Sequence, residues 1–230
     1  MEIKLQKLNT TETLRYLGHT GSPLDELVSA QLATAEELVL RLAKPRAIYR
    51  LFDLNRQANT LHLQNTTLTL LGSDIRTHLS DADQCILMAA TLGSALDQEI
   101  HRTQVTDMAL ATVLDATATT AIEQLCDSVQ QELTTLAASM DRFLTTRFSP
   151  GYGDMPLAQQ QALAALLDTR KIGIEVTDHF LLTPRKSVTA ILGLSQNPPA
   201  NSLTACTICN IADSCTHRKA GTPCGKPLPH

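Results

Sequence analysis

Three groups of residues have the types and spacing that chemistry requires. The first is the run Arg147-Phe148-Ser149-Pro150-Gly151-Tyr152-Gly153-Asp154-Met155-Pro156. It sets an arginine at the end of a strand-like stretch and follows it with a glycine-containing loop. Glycine has no Cβ, so the backbone there can come close to a ligand. The guanidinium offers a planar fork that matches a carboxylate. The plain alternative is a tight turn with a surface arginine. A phosphate loop is excluded, because no Gly-Lys-Ser/Thr ending follows. The second group is Asp115, Thr119, Glu123 and Asp127, which stand four apart and share one helix face. Such a face is either solvated or turned toward a cationic ligand. The third is Cys206-x2-Cys209-x5-Cys215-x8-Cys224, with His217 between the last two cysteines. Thiolate ligands suit an iron–sulfur cluster or zinc. The spacing matches neither a ferredoxin run nor a paired CxxC zinc ribbon, so both metals stay open, as does a redox-labile tail without metal. Cys85 and Cys126 sit alone in apolar segments and read as small core residues.

The elements that must position these residues follow from periodicity. Residues 1–7 alternate apolar and polar, as in a short strand. Asn9-Thr10-Thr11 offers caps for a helix through Leu17, and apolar residues from Leu24 to Leu42 keep helical spacing until Pro45. A strand is expected over 47–54, a hairpin around Asn65-Thr66, a short helix over 73–79 capped by Ser73 or Asp74, and a buried strand over 84–91. Gly93 and Ser94 open a further helix. Residues 106–139 form the longest periodic segment, with a stripe from Leu110 to Leu136 and many threonines and small residues, a pattern suited to tight packing or to a close-lying ligand. Strands are expected over 142–148, 177–182 and 187–194. Asp154 is the expected cap of a helix beginning near Pro156. Hairpin-linked strands mixed with helices predict an α+β fold with a mainly antiparallel twisted sheet, one long helix and a short Cys-rich C-terminal tail. The expected division is a domain over 1–196 and a linker with the tail over 197–230.

Composition excludes several functions. Of 230 residues, 43% are apolar and 18% charged, enough to build a core. The formal net charge is -4, so no basic excess points to nucleic acid or an anionic membrane. Aromatics are 3% and Trp is absent, which argues against base-stacking platforms. No apolar run approaches the roughly 20 residues of a membrane helix, and the first residues carry no secretory h-region. The expected compartment is the cytoplasm.

The motifs together resemble the activation (reactivation) domain of cobalamin-dependent methionine synthase, and more closely the free-standing short proteins related to it. RFSPGYGDMP at 147–156 fits the pattern Arg-x-x-x-Gly-Tyr-x-x-x-Pro. TDHFLLTPRKSVTAILGLS at 177–195, TLGSALDQEI at 91–100, LDATATTAIEQLCD at 114–127 and LRYLG at 14–18 are also similar. The likeness covers about 10–196 and is strongest over 91–196. It implies S-adenosylmethionine binding and a role in methionine biosynthesis. That family uses this methyl donor, with one electron from a flavodoxin-type donor, to return cob(II)alamin to methylcobalamin. By position, Arg147 would bind the methionine carboxylate. Pro150, Gly151 and Tyr152 would line the pocket, with backbone contacts from Gly151 and Tyr152. Glu123 would be the acidic residue near the sulfonium and ammonium. No general acid or base is implied.

The sequence departs from the family domain in three ways. The region after the last strand reads Ser195-Gln196-Asn197-Pro198-Pro199, without the family's adjacent tyrosines. A further acidic residue from the family's N-terminal segment has no counterpart. The cysteine tail is similar only to short clusters in the stand-alone relatives. No DxHxxG segment is present, so the corrinoid would ride on a separate cobalamin-binding methionine synthase or other corrinoid protein. Two other readings stand beside this one: an iron–sulfur electron-transfer accessory protein, and a non-catalytic interaction module with a structural zinc tail.

Overall fold

The computed structural model describes residues 3–19, 21, 23–57, 60–198 and 213–214. The fold is α+β. In chain order the elements are α1 (Thr10–Tyr16), α2 (Glu26–Leu42), β1 (Arg46–Gln57), β2 (Thr60–Leu63), β3 (Thr69–Leu70), α3 (Ser73–His78), β4 (Ala82–Thr91), α4 (Ser94–Thr106), α5 (Met108–Ser139), β5 (Phe143–Leu144), α6 (Gln159–Leu167), β6 (Glu175–Val176), β7 (Leu182–Thr183) and β8 (Ser187–Ser195). Six strands form one sheet in the order β3-β2-β1-β4-β8-β5, and β6 pairs with β7 separately. The β1–β2, β2–β3 and β5–β8 pairs are antiparallel. The chain divides into two compact units. The first takes the described residues of Met1–Tyr49, Ala89–Leu133 and Ala164–Val188, and the second takes Arg50–Met88, Thr134–Leu163 and those from Thr189 onward.

In the first unit, α5 carries the expected stripe. Leu114, Ala118, Ala121, Leu125, Val129 and Leu133 are buried. Its threonines fold their hydroxyls back onto carbonyls four residues earlier: Thr117 onto Val113, Thr119 onto Asp115 and Thr120 onto Ala116. They therefore cost the apolar helix no unpaired hydroxyl. Thr120 also meets Thr13 of α1, oxygen to oxygen at 2.9 Å. The expected strand at the N-terminus is absent over residues 3–7. From Lys7 onward the chain is held by helix side chains instead. Glu36 accepts from the Leu8 amide, and Gln124 accepts from the Asn9 amide while donating to the Lys7 carbonyl. Helix side chains thus satisfy this backbone in place of a ladder. Asn9 then caps α1 as expected, accepting from the Glu12 amide. The expected strand over 177–182 is also replaced: only Glu175–Val176 and Leu182–Thr183 pair, around a turn in which Thr177 N–H donates to the Leu181 carbonyl.

In the second unit the hairpin expected around Asn65 is present, with Asn65 at φ 59°. The strand expected over 142–148 is interrupted. Phe143 faces Ser195 and Leu144 faces Leu194. Regular pairing would then place Arg147 opposite Ile191, but Phe148 stands there. One extra residue is held between these pairs, which is a β-bulge. Thr145 explains where it sits. Its amide still donates to the Gly193 carbonyl, but its hydroxyl, not a main-chain carbonyl, accepts from the Gly193 amide.

Gly193 lies under this bulge. A Cβ there would come within 2.7 Å of Leu79 and 2.9 Å of Ala82. Both atoms are fixed in a packed core. Gly193→Ala is expected to destabilise the protein by about 1–3 kcal/mol through overpacking, read as a lower urea midpoint at unchanged slope.

Candidate functional site

The bulge places Arg147 where the chain leaves the sheet, and the guanidinium-bearing residue is half-buried. Phe148 returns to the sheet, exchanging both main-chain hydrogen bonds with Ile191 at 2.9 and 2.8 Å, and its ring is buried. Pro150 is buried, whereas Gly151 and Tyr152 are exposed at the loop tip. Gly151 sits at φ 89° and Gly153 at φ 52°, a region that favours glycine. The structure therefore brings Arg147, Pro150, Gly151 and Tyr152 together on one loop of the second unit. The loop's amides are engaged within it: Gly151 N–H donates to Met155 and Tyr152 N–H to Ser149, each at 3.0 Å. Glu123 belongs to the first unit, half-buried on α5. Cys206, Cys209, Cys215 and Cys224 lie outside the described residues. No cluster of metal-ligating side chains occurs among the described residues. Cys85 and Cys126 are buried, and burial with the charge of Asp53 pushes the Cys85 thiol up to about 12. It is no nucleophile.

Two carboxylates hold the loop. Asp154 does not cap the helix that follows it, which begins only at Gln159. It caps α3 from eighty residues away in sequence: its carboxylate accepts from the Ser73 amide and hydroxyl, both at 2.6 Å, and from the Asp74 amide at 3.0 Å. Asp74 answers by accepting from the Asp154 amide at 3.1 Å. The residue at the N-cap of α3 is Gly72, not Ser73 or Asp74. The Ser73 hydroxyl, with the Asp74 and Ser73 amides next, holds the Asp154 carboxyl down to about 2. Gln159 secures the chain beyond the loop, accepting from the Leu71 amide at 2.9 Å and donating to the Thr69 carbonyl at 2.7 Å. The sequence carried a trace of this in two Gly–Asp pieces, Gly72-Ser73-Asp74 and Gly153-Asp154.

His78 closes the other flank. Its Nε2 lies 2.9 Å from the Thr146 carbonyl, which can only accept, so Nε2 carries the proton. Its ring meets Phe148 at a tilt of 46° with centroids 5.2 Å apart, and Phe148 meets Tyr152 at 6.0 Å. Burial lowers the affinity of His78 for a second proton, although the bond to Thr146 opposes the shift. Sequence reasoning missed this residue, because a lone histidine ending a short helix carries no motif.

In the first unit, the acidic face of α5 is partly occupied. Asp115 pairs with Lys186 at 3.0 Å, and Thr119 accepts from the same ammonium at 2.8 Å. Lys186 is buried, and it was hidden in the Thr-Pro-Arg-Lys-Ser connection. Glu123 lies within electrostatic reach of Tyr16. Burial first, then the charge of Glu123, lifts the phenol to about 12, with Arg15 opposing. The guanidinium of Arg15 stands 4.5 Å over the Tyr16 ring.

The architecture is shared with the crystal structure of the MetH reactivation domain bound to AdoHcy. The TM-score is 0.64 at 14% identity, over 93% of this chain and 81% of that chain. At this identity the likeness defines the fold. No family model matches the sequence, and no curated protein matches it. No helix of the described residues is long and apolar enough to cross a membrane.

A charge held by hydrogen bonds persists to lower pH than a free carboxylate. The Asp154 value of about 2 lies below the ordinary 3.8, so its contribution is present above pH 3.8 and is lost as pH falls through about 2. The Asp154 carboxyl-carbon resonance is expected to titrate near pH 2. A midpoint near 3.8 would show that the clamp does not form in solution.

Proposed function

We propose that this chain binds S-adenosylmethionine and serves the reductive reactivation of a cobalamin carried by a separate methionine synthase or other corrinoid methyltransferase. The observation that carries the reading is the Arg147 loop, braced on a fold shared with a domain solved with AdoHcy. Arg147 stands in the bulge, and a guanidinium fork can take a carboxylate in two parallel hydrogen bonds. Gly151 lets a ligand approach the main chain without a Cβ in the way. The amides of Gly151 and Tyr152 are satisfied inside the loop, so their part is shape and ring surface rather than N–H donation. In the first unit the Glu123 carboxylate suits a cationic group such as a sulfonium.

The partner's cobalamin, once reduced by one electron from a flavodoxin-like or other donor, supplies the nucleophile for a methyl sulfonium that is already activated. This chain is then asked to bind, orient and exclude water, and none of its side chains needs to move a proton. Cys206, Cys209, Cys215 and Cys224 are proposed as ligands of an iron–sulfur cluster or zinc, which would relay an electron or fix docking geometry.

Calorimetric titration of anaerobically purified protein with S-adenosylmethionine and AdoHcy is expected to show saturable micromolar binding. Arg147→Ala is expected to weaken it at least about tenfold, the loss of a charge-assisted bidentate contact. Arg147→Lys should recover only part, because an ammonium cannot supply the fork. Equal affinity in wild type and Arg147→Ala would remove the assignment. Metal analysis of the same sample tests the tail. Stoichiometric iron and sulfide without ligand binding would favour the electron-transfer reading, and zinc without ligand binding the interaction module.

A further inference from the structure

We propose that the six-residue helix α3 is the positioning element of the candidate ligand loop, gripping it at both flanks so that Arg147 and the Gly151–Tyr152 tip are held in one arrangement. Its ligand consequence rests on the reading above.

The two grips bracket residues 147–153. Before the loop, His78 at the last position of α3 donates Nε2–H to the carbonyl of Thr146, inside the bulge. That carbonyl belongs to a residue next to the break in pairing, between the Leu144–Leu194 and Phe148–Ile191 pairs. The Thr145 hydroxyl also reaches this carbonyl, at 3.1 Å, so the imidazole is the donor that ties it to α3. The same imidazole packs on Phe148, and Phe148 on Tyr152, so three rings run from α3 to the loop tip. After the loop, Asp154 and the first residues of α3 exchange four hydrogen bonds. Three run to the Asp154 carboxylate, and one returns from its amide to Asp74.

The grip leaves little room for variation in the backbone. A Cβ on Gly72 would stand 2.6 Å from the Asp154 carboxylate, at φ 119°. A Cβ on Gly153 would collide with the Asp74 carboxylate, at φ 52°. Both glycines are needed for the two segments to close on each other. Each carboxylate is turned onto main-chain N–H of the opposite segment, Asp154 onto Ser73 and Asp74, and Asp74 onto Asp154. A clamp of this kind fixes rotamers and backbone ahead of binding, which is what a loop presenting an arginine fork requires.

Asp154 is exposed, so its replacement tests the grip without emptying the core. In Asp154→Ala, the amides of Gly151, Tyr152 and Met155, which bond only within the loop, are expected to exchange with solvent at least about tenfold faster. AdoHcy affinity should fall about tenfold in parallel, with the thermal midpoint shifted by a few degrees at most. Asp74→Ala should act in the same direction, and Asp154→Asn, which keeps one acceptor oxygen, should lie between. Arg147→Ala serves as the contrast: it should lose affinity while loop exchange stays at the wild-type rate. Wild-type exchange and affinity in both aspartate variants would overturn the proposal, as would faster exchange at unchanged affinity. If the wild type itself does not bind AdoHcy, the ligand reading falls by that result alone. Loop exchange in Asp154→Ala then decides the grip: faster exchange upholds it, and the wild-type rate overturns it.

Discussion

A main chain that leaves its sheet must find other partners for its amides and carbonyls, and this requirement shapes the protein wherever ladders stop. At the Thr145 bulge, one hydroxyl takes the amide of Gly193 and one imidazole takes the carbonyl of Thr146. At the end of the loop, a carboxylate takes the two leading amides of a helix that has no cap of its own. Just ahead of α1, Glu36 and Gln124 take the Leu8 and Asn9 amides and the Lys7 carbonyl. In each case a polar side chain from a distant segment replaces the local partner. Irregular backbone is thereby made as well determined as the regular elements around it.

The same economy governs polar groups inside the first unit. Thr117, Thr119 and Thr120 bond back along α5, and Thr119 and Thr120 also meet Lys186 and Thr13, so none of these hydroxyls is unpaired. Lys186 is tolerated in a buried position because Asp115 and Thr119 both face its ammonium. Removing Asp115 would leave the buried ammonium without its counter-charge, whereas Asp115, with 38% of its side chain exposed, would stay solvated without Lys186.

In the loop that starts at Arg147, the amides of Gly151 and Tyr152 close on the carbonyls of Met155 and Ser149, while the Asp154 amide reaches out to Asp74. Two glycines at positive φ permit the turn, and two aspartates keep it.

Much of the fold was legible in the sequence. The period of apolar residues gave α2, α5 and the buried strands, Asn65 marked the hairpin, and Asn9 marked a helix start, because each of these depends on neighbours within a few residues. The Arg147 loop was legible for the same reason, since its glycines and arginine are close in sequence. The sequence could not show that residues 3–7 remain outside the sheet, or that 142–148 would carry one extra residue. It could not show that Asp154 would cap a helix some eighty positions earlier instead of the one ahead. Those outcomes are competitions between a local partner and a distant one. The tertiary structure decides them, because only folding brings His78, Asp74 and Gln124 within hydrogen-bonding distance of backbone that would otherwise pair locally.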